Sequence, residues 1–219
     1  VNIKKYAALY LDAVHDTDRD AAGEVIRYLQ SGGIPPEKIV FDVITPSLKN
    51  MIEDFYNDKI ILSQHFIAVR ISEELIDYLL PLFTQVETDP VKIILGSASG
   101  DFHALGKKIV AGSLKAKRIE VLDLGLNISA EKFVDVAVEE NASIIGVSSM
   151  MVHTATGEDG PRLVRKILDD RGLSSNIKLI VGGAPYLFDE EMYHAVGADA
   201  WGRDGIEAAE IIRKLHAGL

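Results

Sequence analysis

The chain has 219 residues, 47% of them hydrophobic and 26% charged, enough apolar surface for one large or two modest cores. A formal net charge of −10 supplies no basic face for phosphate neutralisation, so nucleic-acid binding is not expected. The absence of cysteine excludes disulfides, thiolate metal sites and cysteine nucleophiles together.

Residues 1 to about 85 read as helices. Ala21, Val25, Ile26 and Leu29 recur at helical spacing. Thr17 or Asp18 can cap this helix, and Ser31-Gly32-Gly33 ends it. Pro35-Pro36 opens a third helix carrying Ile39, Val43, Leu48, Met51 and Ile52, which Pro46 should kink or divide. A fourth runs from about Ser63 to Leu80, with Phe66, Ile67, Val69, Ile71, Leu75 and Leu79 mostly inward. Four such helices with short connections predict a bundle. Residues 81–90 read as a linker, so the expected domains are 1–85 and 86–219.

From Val91 the pattern alternates. Apolar runs at Lys92–Leu95, Ile119–Leu122, Ser143–Val147, Lys178–Val181 and Ala198–Trp201 predict five strands. Helices are expected near 104–115, 129–140, 160–171, 188–195 and 205–217, the last capped by Asp204. The fold class expected is therefore α/β: a flavodoxin-like parallel sheet of order 2-1-3-4-5, covered on both faces. That order places the loops after strands 1, 3 and 4 around one crevice.

Each of those loops carries unusual residues. Gly96 to Gly106 follows the first strand, but its glycine spacing fits neither common phosphate loop, and Asp101 would repel an anion. Asp101 and His103 suit a metal-binding imidazole whose second nitrogen is held by a carboxylate. Gly106 would let a bulky planar ligand approach the backbone. Ser148-Ser149-Met150, followed by His153-Thr154, leaves the third strand, with hydroxyls suited to a hydrogen-bonding ligand. Gly182-Gly183 leaves the fourth.

Asp101-Phe102-His103-Ala104-Leu105-Gly106, then Ser148-Ser149-Met150, then Gly182-Gly183 resemble the DxHxxG, SxL and GG signature of base-off/His-on cobalamin-binding domains. The resemblance covers about residues 91–217, and Val121 to Gly125 with Ser129-Ala130-Glu131 is similar to methyl-carrying members. It implies a cobalamin or related corrinoid cofactor, with His103 as the lower ligand of cobalt and Asp101 holding the far imidazole nitrogen. Thr154 stands where methionine-synthase-like members complete this relay with a serine. Ser148 would contact the displaced nucleotide base, and Phe102, Gly106, Met150, Gly182 and Gly183 would belong to the cofactor site. Met150 replaces the usual leucine, and Val152 replaces a threonine of some members.

The helical half resembles, more loosely, the cap of methyl-carrying corrinoid proteins. Phe55, Leu62 and His65 would then fall near the upper face of the corrin, although Ile52 and Asp58 replace the family's turn glycines. His65 reads either as a rim histidine bonded within the cap or as an upper-face contact to cobalt. The resemblance implies a non-catalytic corrinoid subunit that shuttles a methyl group on cobalt between partner methyltransferases, with a reductive activator as a further partner. The cap would swing aside, the linker at residues 81–90 serving as hinge. A cobalamin sensor responding to the upper ligand shares the layout and is the alternative. A mutase small subunit fits less well because of residues 1–85. No segment approaches the roughly 18 apolar residues of a membrane span and the start lacks a signal-peptide pattern, so a cytoplasmic location is expected. An oligomer remains open.

Overall fold

The computed structural model describes residues 2–83 and 91–219. The chain divides into two compact units, Val1–Thr84 and Gln85–Leu219. Most of the linker and hinge expected at residues 81–90 lies outside the described residues; Leu80–Leu82 forms a 3₁₀ turn.

The first unit is helical. Helices α1 (Ile3–His15) and α2 (Arg19–Ser31) are capped by the side chains of Asn2 and Asp18, the latter accepting from the Ala21 N–H at 2.9 Å. After α3 (Pro36–Ile39) comes a π turn at Val40–Ile44, then α4 (Thr45–Tyr56). Pro46 therefore does mark a break. It has no N–H to continue the ladder, and the turn before it widens so that the Thr45 N–H reaches back to the Val40 carbonyl.

Helix α5 (Leu62–Leu79) buries Ala68, Ile71, Ser72, Ile76 and Leu79. Phe66 and Ile67, expected inward, are exposed instead, as is Ile52 on α4. The inward stripe of α5 includes a serine because the buried hydroxyl of Tyr10 meets the Ser72 hydroxyl at 3.0 Å, while Ser72 donates to the Ala68 carbonyl. A polar residue can occupy a core position when its bonds are made there.

Burial pushes the Tyr10 phenol up to about 12, with the Ser72 hydroxyl offsetting part of the rise. Its folded value lies above the ordinary value of 10.0, so the neutral form is the one the fold favours. The stabilisation is complete below pH 10 and is lost as the pH rises from there towards 12, about 2–3 kcal/mol in all. Urea titrations across this window should show the loss in the native chain, and Tyr10→Phe should flatten it. An equal slope in both proteins would show that another group governs alkaline unfolding.

The second unit holds five parallel strands in the order β2-β1-β3-β4-β5. They are β1 (Lys92–Ser97), β2 (Glu120–Asp123), β3 (Ile144–Ser148), β4 (Lys178–Gly182) and β5 (Ala200–Gly202). The expected order is the order found. Strand residues alternate between two cores, as a sheet covered on both faces requires. Ile94, Ile145 and Val181 pack with Phe133 and Val134 of α7 (Ala130–Glu139) and with Val164 and Leu168 of α9 (Pro161–Asp170). Ile93, Ile144 and Ile180 pack with Leu114 of α6 (Leu105–Ala116) and with Ala209 and Ile212 of α12 (Gly205–Ala217). Asp204 caps α12, accepting from the Ile206 and Glu207 N–H groups.

Three short helices complete the unit: α8 (Val152–Thr156), α10 (Ala184–Phe188) and α11 (Met192–Ala195). The first two begin where β3 and β4 deliver their loops, at positions read from sequence as loop. Among the described residues, no helix is long and apolar enough to cross a membrane.

Candidate functional site

At the carboxyl edge of the sheet, β1 ends in a turn closed by the Asp101 N–H on the Ala98 carbonyl at 3.0 Å. The Asp101 carboxylate beyond it is only 1% exposed. One oxygen, Oδ1, accepts from the His103 backbone N–H and meets His103 Nδ1, both at 3.0 Å. The other, Oδ2, accepts from the Met150 N–H at 2.6 Å and from Thr154 Oγ1 at 2.8 Å. An ionised carboxylate only accepts, so the proton of a neutral imidazole resides on Nδ1 and leaves the lone pair on Nε2. The His103 side chain is 56% exposed, so that nitrogen stands at a rim rather than in the core.

Burial works to raise the Asp101 carboxyl, but four partners oppose it. The Met150 and His103 N–H groups, the Thr154 hydroxyl and the His103 ring together hold it below the ordinary carboxylate range. Asp101 is thus charged and fully engaged. Asp101→Asn should cost about 1–3 kcal/mol, because each carboxylate oxygen accepts a backbone N–H, so the amide nitrogen must face that of either His103 or Met150. Chemical denaturation of the cofactor-free chain measures this, and a cost near zero would mean that the loop repacks without the carboxylate.

The three loops named from the sequence meet here. Asp101 ties the first to the third, and the Ser149 N–H on the Gly182 carbonyl at 3.0 Å ties the third to the fourth. Gly183 adopts φ +119, and a Cβ built there would stand well inside contact distance of the Ser149 carbonyl oxygen. A Cβ on Gly182 would meet the Gly202 carbonyl at 3.2 Å. Both glycines therefore have a packing reason of their own. Gly106 differs, since a Cβ there would enter open space.

The hydroxyls divide. Ser149 is fully buried and bonds inward, towards the Thr154 carbonyl at 3.4 Å, so it does not offer itself to a ligand. Ser148 is half-buried at the end of β3, in register with Ser97 and Gly182. Phe102, Met150 and Val152 present exposed apolar side chains around His103 and Thr154 in sequence.

Sequence reasoning missed a second layer. Lys107, one residue after Gly106, is buried and ion-paired with both oxygens of Asp123 at the end of β2. Asn127 binds the Gly100 N–H. Asp123 lies within a motif already singled out, but its partner is sixteen residues distant and invisible to local pattern.

The family model for the B12 binding domain matches residues 91–210. The chain belongs to the B12 binding domain family. Its cofactor is a cobalamin or related corrinoid. The trimethylamine corrinoid protein 1 of Methanosarcina acetivorans is 26% identical over 95% of this chain and 94% of its own. In structure, the monomethylamine corrinoid protein of Methanosarcina barkeri aligns with a TM-score of 0.80 at 22% identity, covering 94% of this chain and 96% of the other. A chain of the methanol:cobalamin methyltransferase complex MtaBC from the same organism aligns at 0.54 and 20% identity, over 98% of this chain and 81% of that one.

The residues of this B12 binding domain fit such a cofactor. A lone imidazole nitrogen, oriented by a buried carboxylate, is a suitable donor to a metal already held by a macrocycle. The open space over Gly106 leaves room for a bulky neighbour.

In the helical unit, Phe55 and His65 stack with centroids 5.8 Å apart. Leu62 is exposed. His65 Nδ1 is buried and finds no hydrogen-bond partner among the described residues. Burial pushes this imidazole below its ordinary value, favouring the neutral ring.

Proposed function

We propose that this chain is a corrinoid methyl carrier, in which His103 Nε2 is the lower ligand of cobalt. The arrangement that carries the reading is the buried Asp101 carboxylate, bonded to His103 Nδ1 on one oxygen and to Thr154 and Met150 on the other. When bound, the corrinoid supplies a cobalt that can accept and release a methyl group; the protein supplies axial ligation and a surrounding that excludes water.

The work of the chain's own residues follows from their positions. Asp101 keeps the proton on His103 Nδ1 and turns Nε2 outward. Thr154 Oγ1 stands 2.8 Å from both Asp101 Oδ2 and the Met151 carbonyl, so its single proton can be donated to either. A proton arriving at Asp101 can therefore be accommodated by rotating one hydroxyl. Ser148 and Gly106 would border the nucleotide tail, while Phe102, Met150 and Val152 would cover apolar parts of the macrocycle.

Partner methyltransferases would load and unload the carrier. The names of the similar proteins support this: corrinoid proteins of methylamine systems, and a cobalamin methyltransferase complex. The test is transfer of a radiolabelled methyl group onto the corrinoid-loaded chain by one methyltransferase and off it by a second, followed by gel filtration. Label that enters and leaves with the chain is the expected result. Selective retention of adenosylcobalamin with no labelling would overturn the carrier reading.

A further inference from the structure

The loop that carries His103 is held by the segment that follows β2. After β2, residues 125–128 run beside the exit of β1: the Ser97 N–H bonds the Gly125 carbonyl at 3.0 Å, and the Ile128 N–H returns to the Ser97 carbonyl at 3.0 Å. Asn127 extends this ladder to the loop itself. Its side-chain Oδ1 accepts from the Gly100 N–H at 2.8 Å, and its own N–H donates to the Asp101 carbonyl at 3.0 Å. Residues 100 and 101 are thus bracketed by two bonds to one residue.

Few residue types could do this. Asn127 has φ +54, a left-handed conformation in which asparagine and aspartate are tolerated best after glycine. Glycine would take the conformation but offers no acceptor. Gly100 is itself at φ +75, in the turn that aims Asp101, so the Asn127 bond falls where the chain reverses. The far end of the stretch is tied to the end of β2, just ahead of that segment, through the Lys107–Asp123 ion pair.

We propose that Asn127 is a positioning residue for the lower axial ligand. By clamping Gly100 and Asp101, it fixes where the Asp101 carboxylate stands, and through that carboxylate where His103 Nε2 points. The inference rests on the reading of His103 as the ligand of cobalt. Asn127 is exposed and contributes no core volume, so its replacement should register at the ligand far more than in the fold.

The test compares Asn127→Gly, Asn127→Asp and His103→Ala with the native chain. Asn127→Gly removes the acceptor while easing the left-handed backbone, so the variant should fold. In the cofactor-free protein, exchange of the Gly100 amide should accelerate about tenfold, the loss expected for one hydrogen bond. After reconstitution of protein labelled with 15N-histidine and reduction of the bound cobalamin to the cobalt(II) form, electron paramagnetic resonance reads the axial nitrogen and separates histidine from the cofactor's own base. Asn127→Gly should lower the His-ligated fraction and weaken cobalamin retention about three- to tenfold, while Asn127→Asp, keeping an acceptor, should restore both. Native exchange or native ligation in Asn127→Gly would overturn the proposal, as would failure of Asn127→Asp to rescue. Should His103→Ala keep the native nitrogen signal, the ligand reading itself falls and takes this inference with it.

Discussion

His103→Ala should fold as the native chain does and lose the axial nitrogen of its bound corrinoid. The imidazole is more than half exposed, so truncation removes little buried area, and the unfolding free energy should fall by only about 1 kcal/mol for the lost bond to Asp101. Asp101 keeps its bonds from the His103 backbone N–H, Met150 and Thr154, so the loop retains its anchor. The loss should instead appear in cofactor binding, about 100-fold or more, since even partners that only orient a ligand are worth 10–100-fold at metal sites. Visible spectra of the reconstituted proteins are the measurement. The native chain should show base-off, His-ligated cobalamin, and the variant should show neither that spectrum nor tight retention. An unchanged spectrum would end the assignment of His103.

Gly183→Ala should produce the largest loss of stability. At φ +119 and ψ −179 a side chain is strained whatever the space, and here the space is already filled by the Ser149 carbonyl. Relief requires moving either the start of α10 or the Ser148–Met150 exit from β3. The second movement would carry the Met150 N–H away from Asp101, coupling the strain to the carboxylate that orients His103. We expect a cost of about 3–5 kcal/mol, or failure to accumulate folded protein. Gly106→Ala is the control, because its Cβ enters open space and should cost the cofactor-free fold less than about 1 kcal/mol. Urea titration of both variants decides the matter. Equal behaviour would show that the fourth loop yields more readily than its packing implies.

Several features were legible because they are local. Alternating short apolar runs and helical segments announced a parallel sheet, and the strand order followed from the common doubly wound pattern. Asp101 and His103 are two residues apart, so their pairing could be read directly from the loop. Other features were read wrongly for want of distant partners. Phe66 and Ile67 belong to a helix with apolar residues on more than one face, and periodicity could not choose among them. The choice fell to the stripe containing Ser72, through a hydroxyl contact with Tyr10, sixty-two residues away. Helices α8 and α10 are five residues each, too short to leave a periodic signature.

What the sequence by itself determined is the inventory and its address: two units, five strands, and a carboxylate–imidazole pair at the edge where ligands bind in such sheets. Tertiary structure alone decided how that pair is satisfied. Met150 and Thr154 reach Asp101 from forty-nine and fifty-three residues away, Asn127 reaches Gly100 from twenty-seven, and Asp123 neutralises Lys107 from sixteen. Hydrophobic spacing encodes which face of an element is buried, a property each segment carries alone. A hydrogen bond between loops depends on where separate strands end relative to one another, and that register exists only once the sheet has formed.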